Sequence, residues 1–336
     1  LQVQAETIEI DTVSLIVEEE AFVSVTKAGY IKRTSPRSFN ASTLEEMGKR
    51  DDDQLIFLQN AKTTQHLLLF TNLGNVIYRP VHELTDIRWK DIGEHLSQTL
   101  MNFDTNEEII FAELVENFDE GTYFAVTKFG QIKRVERKEF APWRTYKSKS
   151  TKYAKLKDNE DVVITVSPVV LDDIMLITEK GYALRFNIEE VPVIGAKAAG
   201  VKAVNLKDDD VVVAAFISNT SSIYLLTHRG SLKRMATEEI PVTSRAKRGL
   251  QVLRELKAKP HRVFLAGPVL TVQGDFDLFT SQVEEQTNGQ VLHVLSNTGK
   301  SYDVDVTQLS FSERTSNGSF ISDTISNEEV FHAWMD

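Results

Sequence analysis

One short pattern is written six times along this chain. An apolar run ends in Thr (Ser in the sixth copy), two variable residues follow, and then comes Gly. VSVTKAGYIKR (23–33), YFAVTKFGQIKR (123–134) and IYLLTHRGSLKR (223–234) are the clearest copies. LLLFTNLGNVIYRP (67–80), IMLITEKGYALRF (174–186) and VLHVLSNTGKSYDV (291–304) are weaker ones. The glycines Gly29, Gly74, Gly130, Gly181, Gly230 and Gly299 are spaced 45, 56, 51, 49 and 69 residues apart. A self-similarity of about fifty residues constrains the fold more than any other feature, because one supersecondary unit must then be stacked repeatedly.

The unit reads as β. Tyr123–Thr127 and Ile223–Thr227 are rich in β-branched and aromatic residues. Thr-x-x-Gly suits a type I turn closed by a left-handed residue, where only Gly avoids a Cβ clash. A second half-repeat lies between the hairpins. KYAKLKDNEDVVITVSPV (152–169) matches KAVNLKDDDVVVAAFISN (202–219), and KRDDDQLIFLQNA (49–61) resembles both. An acidic turn is followed each time by another strand. About four strands per unit, six times over, predict an all-β chain. Its natural closure is a propeller-like ring, with blades near 20–62, 63–118, 119–169, 170–219, 220–269 and 270–325. A strand over 8–17 is expected to complete the last blade. Short helices are expected near Thr43–Gly48 and Asn327–Trp334.

The chain of 336 residues carries a net charge of −11, which argues against a uniformly basic nucleic-acid binder. The charge is segregated, however. Acids cluster at Glu18–Glu20, Asp51–Asp53 and Asp208–Asp210, while residues 135–157 hold eight Lys/Arg against two Glu and 245–262 hold seven against one. Screening over about 8 Å keeps such regions electrically separate. Cys is absent, so no disulfide or thiolate metal site can form. The opening residues alternate like a strand rather than resembling a signal peptide. No apolar run is long enough to span a bilayer as a helix.

The return strands end in basic residues: Lys32/Arg33, Lys133/Arg134 and Lys233/Arg234, with Arg79 and Arg185 alone. The same charge at the same repeat position suggests a basic rim following a phosphate backbone. Charged strand ends facing water are the ordinary alternative. Arg37, Lys49, Arg50, Arg137, Lys138, Arg144, Lys147, Lys149, Lys152, Arg245, Lys247 and Arg248 extend the candidate set. Trp143, Tyr146 and Tyr153 are interleaved with the basic run of 139–155, where loop packing explains them equally well. Catalytic signals are poor. The seven His show no metal-ligand spacing, and GAKAAGVK (195–202) lacks the Lys-Ser/Thr of a phosphate loop. No catalytic residue, metal site or cofactor is expected in this chain.

Together these motifs resemble the C-terminal β-pinwheel domain of the A subunits of bacterial type IIA topoisomerases. VSVTKAGYIKRTSPRSF, IRWKDIGEHLSQTL, RFNIEEVPVIGAKAAGVKA and ERTSNGSFISDTISNEEVF are specifically similar to the topoisomerase IV A subunits of Gram-positive bacteria. The resemblance implies a six-bladed β-pinwheel with strands exchanged between neighbouring blades, and a basic perimeter that binds and bends duplex DNA. It implies a non-catalytic role in decatenation and relaxation, with the strand-cleaving Tyr upstream. The implied partners are duplex DNA, the catalytic N-terminal region of the same polypeptide and the ATPase-bearing B subunit of topoisomerase IV, in the bacterial cytoplasm at the nucleoid, with the isolated domain a monomer. In gyrase, a basic box of the type Q-R-R-G-G-x-G in the first blade supports DNA wrapping. Here ASTLEEMGKRDDD (41–53) keeps only Gly48, Lys49 and Arg50, opposed by Glu45 and Glu46, which implies weakened wrapping. An acidic protein-interaction scaffold is the competing reading, and a propeller enzyme with a central site is a weaker third.

Overall fold

The computed structural model describes residues 15–270 and 289–336. The all-β, six-bladed expectation is met by six antiparallel sheets. Each hairpin supplies two paired strands: Glu20–Thr26 with Tyr30–Thr34, His66–Thr71 with Asn75–Pro80, Thr122–Thr127 with Gln131–Glu136, Asp173–Thr178 with Tyr182–Asn187, Ser222–Thr227 with Ser231–Ala236, and Val291–Ser296 with Ser301–Asp305. The strand after each acidic turn pairs on the outside of the first hairpin strand, as Leu55–Lys62 and Val212–Ile217 do.

The fourth strand comes from the following repeat. Glu94–His95 lies beyond the second hairpin yet pairs with Tyr30–Ile31 of the first. Thr151–Lys152, Val201–Lys202, Leu250–Gln251 and Ser319–Phe320 repeat this exchange on sheets two to five. The exchanged strand is only two residues long, so it must be held by what precedes it. Gly249 shows how. It has φ +89°, and a Cβ there would stand 2.3 Å from the Ala183 carbonyl, so no other residue lets the chain approach its partner strand so closely. The sixth sheet has three strands among the described residues.

Two expectations change. The segment 327–334 forms no α-helix; only Asn327 is helical, ending the 3-10 turn Ile325–Asn327. Val330–Met335 is a strand, registered on the sixth hairpin from Leu292↔Met335 to Ser296↔Val330. Cross-strand pairing decides the conformation of a segment too short to hold a helix alone. The segment near Thr43 forms only a single 3-10 turn, Leu44–Glu46, closed by the Glu46 carboxylate accepting from the Thr43 N–H at 2.8 Å. The strand expected over 8–17 falls mostly outside the described residues.

The contacts divide the residues into two compact units, one of Leu1–Thr122, Val135–Leu156 and Gly195–Ala198, the other of Tyr123–Arg134, Lys157–Ile194 and Ala199–Asp336. In each, the apolar core lies between successive sheets. Val23, Val25, Leu67, Leu69, Ile77 and Ile109 fill the space between sheets one and two in the first unit. In the second, Leu176, Leu184 and Phe186 pack on Phe124 and Val126, while Leu226 and Leu232 pack on Leu292 and Val294. Blade stacking therefore supplies the burial that a lone four-stranded sheet lacks.

The last sheet carries a titratable clamp. His293 Nδ1 lies 2.7 Å from Asp303 and Nε2 2.6 Å from Asp336, one carboxylate on each side of its strand. The hydrogen bond to Asp336, then that to Asp303, holds the His293 pKa above its ordinary value. A folded pKa raised over the unfolded one gives stability that is complete below about pH 6.5 and lost as pH rises through the folded value. The denaturation midpoint of the wild-type chain is expected to fall across that window. His293→Leu should remove that component of the pH dependence, and identical profiles for the two proteins would disprove it.

Candidate nucleic-acid interface

The hairpin motif explains itself first. In all six copies the Gly has φ between +78° and +98°. Its N–H donates to the carbonyl of the Thr (Ser296 in the sixth copy) three residues earlier, as in Gly130 to Thr127 at 3.0 Å. The hydroxyl of that residue accepts from the amide just after the Gly, at 3.0 Å for Tyr30→Thr26 and 3.1 Å for Gln131→Thr127. The acidic turns clamp the same loops. Asp53, Asp161 and Asp210 accept the N–H of Ala28, Phe129 and Lys180 respectively, and each also caps the residue after itself. They build the turns, and no group of three potential metal ligands converges among the described residues.

The Lys-Arg pairs are placed otherwise than a water-facing rim requires. Lys32, Lys133 and Lys233 are only 1–2% exposed. Lys32 Nζ donates to the carbonyls of Trp89 (2.7 Å), Asp91 (2.6 Å) and Gly48 (3.2 Å). Lys233 Nζ donates to Val252, Arg314 (2.6 Å) and Ser316 (2.7 Å). In both cases the acceptors include the loop that leads into the exchanged strand. Burial presses each pKa down to about 8, which leaves both mainly protonated at neutral pH. The expectation that these lysines face phosphate is corrected: all three are buried, and the segment leading into the exchanged strand closes over Lys32 and Lys233.

The arginines that follow reach the next repeat. Arg33 donates to Val81 and His82, Arg134 to Val191, Arg185 to Ile240 and Arg234 to Thr307. All five carbonyls belong to the 3-10 turn after the next hairpin or the residue that caps it. Arg185 also pairs with Asp173 at 3.3 Å. Arg79 stands one pleat further along than the buried lysines, hence on the same strand face. It is 8% exposed and serves their purpose, donating to the Tyr146 and Lys147 carbonyls. The recurrent basic pair thus joins consecutive repeats.

Several cations free of ion pairs lie on the exchange loops. Arg144, Lys149 and Lys152 are exposed on the segment entering the second sheet, and none makes an ion pair with a described residue. Lys155 and Lys197 share these properties, although the basic-pair pattern does not point to them; for Lys155 the local charge excess is the available signal. Lys147 is tied to Glu83 at 3.2 Å and Lys138 to Glu136 at 2.6 Å. Over 138–155 six basic side chains stand against the single acid Glu139. In the second unit, Lys247 is exposed, Arg248 stacks on Tyr182 at 4.2 Å, and Arg245 is bound to the Glu190 and Lys202 carbonyls. Arg137 is half-buried, paired with Glu113 at 3.2 Å.

The first blade is the opposite. Lys90 pairs with Glu46 (2.9 Å), Arg88 with Asp91 (2.8 Å) and Arg50 with Asp52 (3.4 Å). Lys49 is exposed and donates to the Asp53 carbonyl, and Arg37 is exposed on the helix Pro36–Asn40. Across 41–53 and 86–94, four basic side chains face eight acidic ones.

The family model described as the DNA gyrase C-terminal domain, beta-propeller, matches residues 21–48, 65–116, 122–169, 172–219 and 221–269, more than half of the chain. This chain belongs to that gyrase C-terminal domain family. Each matched segment covers one repeat, and the divergent sixth lies outside. The chain is 69% identical over its whole length to the A subunit of DNA topoisomerase 4 from Streptococcus pneumoniae, and 38% identical to its Bacillus subtilis counterpart over 99% of its length. It spans 41% and 39% of those relatives. A crystal structure of the C-terminal domain of DNA topoisomerase IV matches with TM-score 0.82 at 37% identity, covering 95% of this chain and 94% of that one. A gyrase A C-terminal domain, at 20% identity and TM-score 0.61 over 94% of this chain and 99% of that one, shares the fold.

Proposed function

We propose that this chain is the duplex-DNA-binding and DNA-bending part of a bacterial topoisomerase IV A subunit. It serves decatenation and relaxation without performing the strand cleavage itself. In this reading the catalytic region of the same polypeptide and the ATPase-bearing B subunit are its partners at the nucleoid. The observation that carries the proposal is the set of unpaired, exposed cations on the exchange loop, Arg144, Lys149, Lys152 and Lys155. Side chains of that kind displace counterions from phosphates without reading sequence. Bending a 20–30 bp site by 40–90° costs on the order of 1–6 kcal/mol, which several such contacts offset. The ion-paired, net acidic loops of the first blade offer phosphates little, so wrapping is limited there.

Titrating this chain into a short linear duplex across a potassium chloride series tests the reading. Log affinity should fall linearly with log salt, with a slope of about −3 or steeper if four phosphates are engaged. Absence of binding at low salt would defeat the proposal and favour an acidic interaction scaffold.

A further inference from the structure

Arg79 is a candidate contact that the structure turns into something else. Arg79 is only 8% exposed, its guanidinium bound to carbonyls of the basic exchange loop. Nη1 donates to the Tyr78 carbonyl (2.8 Å) and the Tyr146 carbonyl (2.9 Å); Nη2 donates to Thr99 Oγ1 (2.9 Å) and the Lys147 carbonyl (3.1 Å). Two of these four acceptors are backbone atoms of the loop between Arg144 and Lys149. A cleft of about 370 Å³ opens beside Arg79, lined also by Glu83, His95, Thr99 and Lys147. Arg79 lines that space beside Tyr78, on whose ring the loop residue Tyr146 packs at 4.9 Å. Glu83 adds a second tie from below, accepting from the Tyr146 hydroxyl at 2.8 Å and pairing with Lys147. Beyond the loop, the ladder of Thr151–Lys152 on Asn75–Val76 holds the chain independently.

We infer that Arg79 is a positioning residue: it fixes the 143–149 backbone so that Arg144 and Lys149 are presented together for phosphate, without touching the DNA. The inference rests on the DNA-binding reading above. A planar fork suits this, because one side chain satisfies three carbonyls and a hydroxyl from two nitrogens in fixed directions; a lysine at the same place offers a single nitrogen. Ordering the loop beforehand removes an entropic cost that would otherwise fall on binding.

The test is a double-mutant cycle on duplex binding. Arg79→Met is expected to weaken binding by about three- to tenfold at fixed salt and to flatten the salt slope by about one unit. Arg79→Lys should recover only part of this. In the Arg144→Ala/Lys149→Ala background, Arg79→Met should have almost no further effect, because the groups it positions are gone. A merely structural role would instead give the same loss in both backgrounds, and that result would overturn the inference, as would unchanged binding by Arg79→Met. Should Arg144→Ala/Lys149→Ala alone leave binding intact, the DNA-binding assignment of the loop fails, and the assignment of Arg79 fails with it. Should Arg79→Met be too unstable to titrate, Thr99→Val, which removes only the Oγ1 acceptor, is read in the same cycle. A loss confined to the intact-loop background again supports the inference, and equal losses or none oppose it.

Discussion

Reversing the charge of Arg144, Lys149, Lys152 and Lys155 to Glu is expected to lower duplex affinity by about two orders of magnitude at ~100 mM monovalent salt, and to flatten the salt dependence by roughly three to four units. The size follows from counterion release: each phosphate neutralised contributes about 0.9 to the log–log slope, and reversal adds repulsion to the loss. All four side chains are exposed, so the denaturation midpoint should hardly move, because surface changes away from special features cost about 0.5 kcal/mol or less. Arg50, Arg88 and Lys90 are the internal comparison. Each already has a carboxylate within 3.4 Å, so replacing all three with Ala should change affinity several-fold less. Equal effects from the two sets would mean that overall charge governs binding and the exchange loop has no special place.

Lys233→Met is expected to destabilise the chain by about 3–5 kcal/mol, the scale of removing one member of a buried charged cluster. The methionine fills most of the lysine's volume, so packing is largely preserved. What disappears is the donor to the Val252, Arg314 and Ser316 carbonyls, and each buried acceptor left alone costs on the order of 1–3 kcal/mol. The damage should be local before it is global. Amide exchange at Ser319–Phe320, the strand borrowed by the fifth sheet, should accelerate well beyond that of Ser222–Thr227 in the same sheet. Lys247→Met, on an exposed side chain, should leave the denaturation midpoint in place. A wild-type midpoint for Lys233→Met would show that the carbonyl cage contributes nothing, and that the burial of this lysine is incidental to the fold.

Legibility divides by range. The hairpins can be placed from residues alone because their causes are local: a Gly with positive φ, and a Thr or Ser hydroxyl four residues before the amide it caps. The acidic turns can be located in the same way, but their work is not evident there. Asp161 caps a loop 32 residues away in sequence, and no local pattern reveals that. The segment 327–334 reads as a helix and folds as a strand because eight residues do not settle a period, and the register with Val291–Ser296 settles it instead.

The candidate interface is half legible for the same reason. The charge excess of 135–157 locates the basic loop, and its free cations are there. The Lys-Arg pairs, more conspicuous because they repeat, mislead. A lysine at the end of a strand faces water in an isolated hairpin. Lys32 is buried because residues 89–91, nearly sixty positions later, fold back over it.

From the sequence alone, then, come the β character, the six hairpins and the uneven distribution of charge, all properties of short stretches that hold whatever surrounds them. The tertiary structure decides which basic residues are solvated. A two-residue strand lent by the next repeat turns some of them into internal fasteners and leaves the cations on its own loop exposed. Exposure is a relation between distant segments, and only the assembled chain brings those segments together.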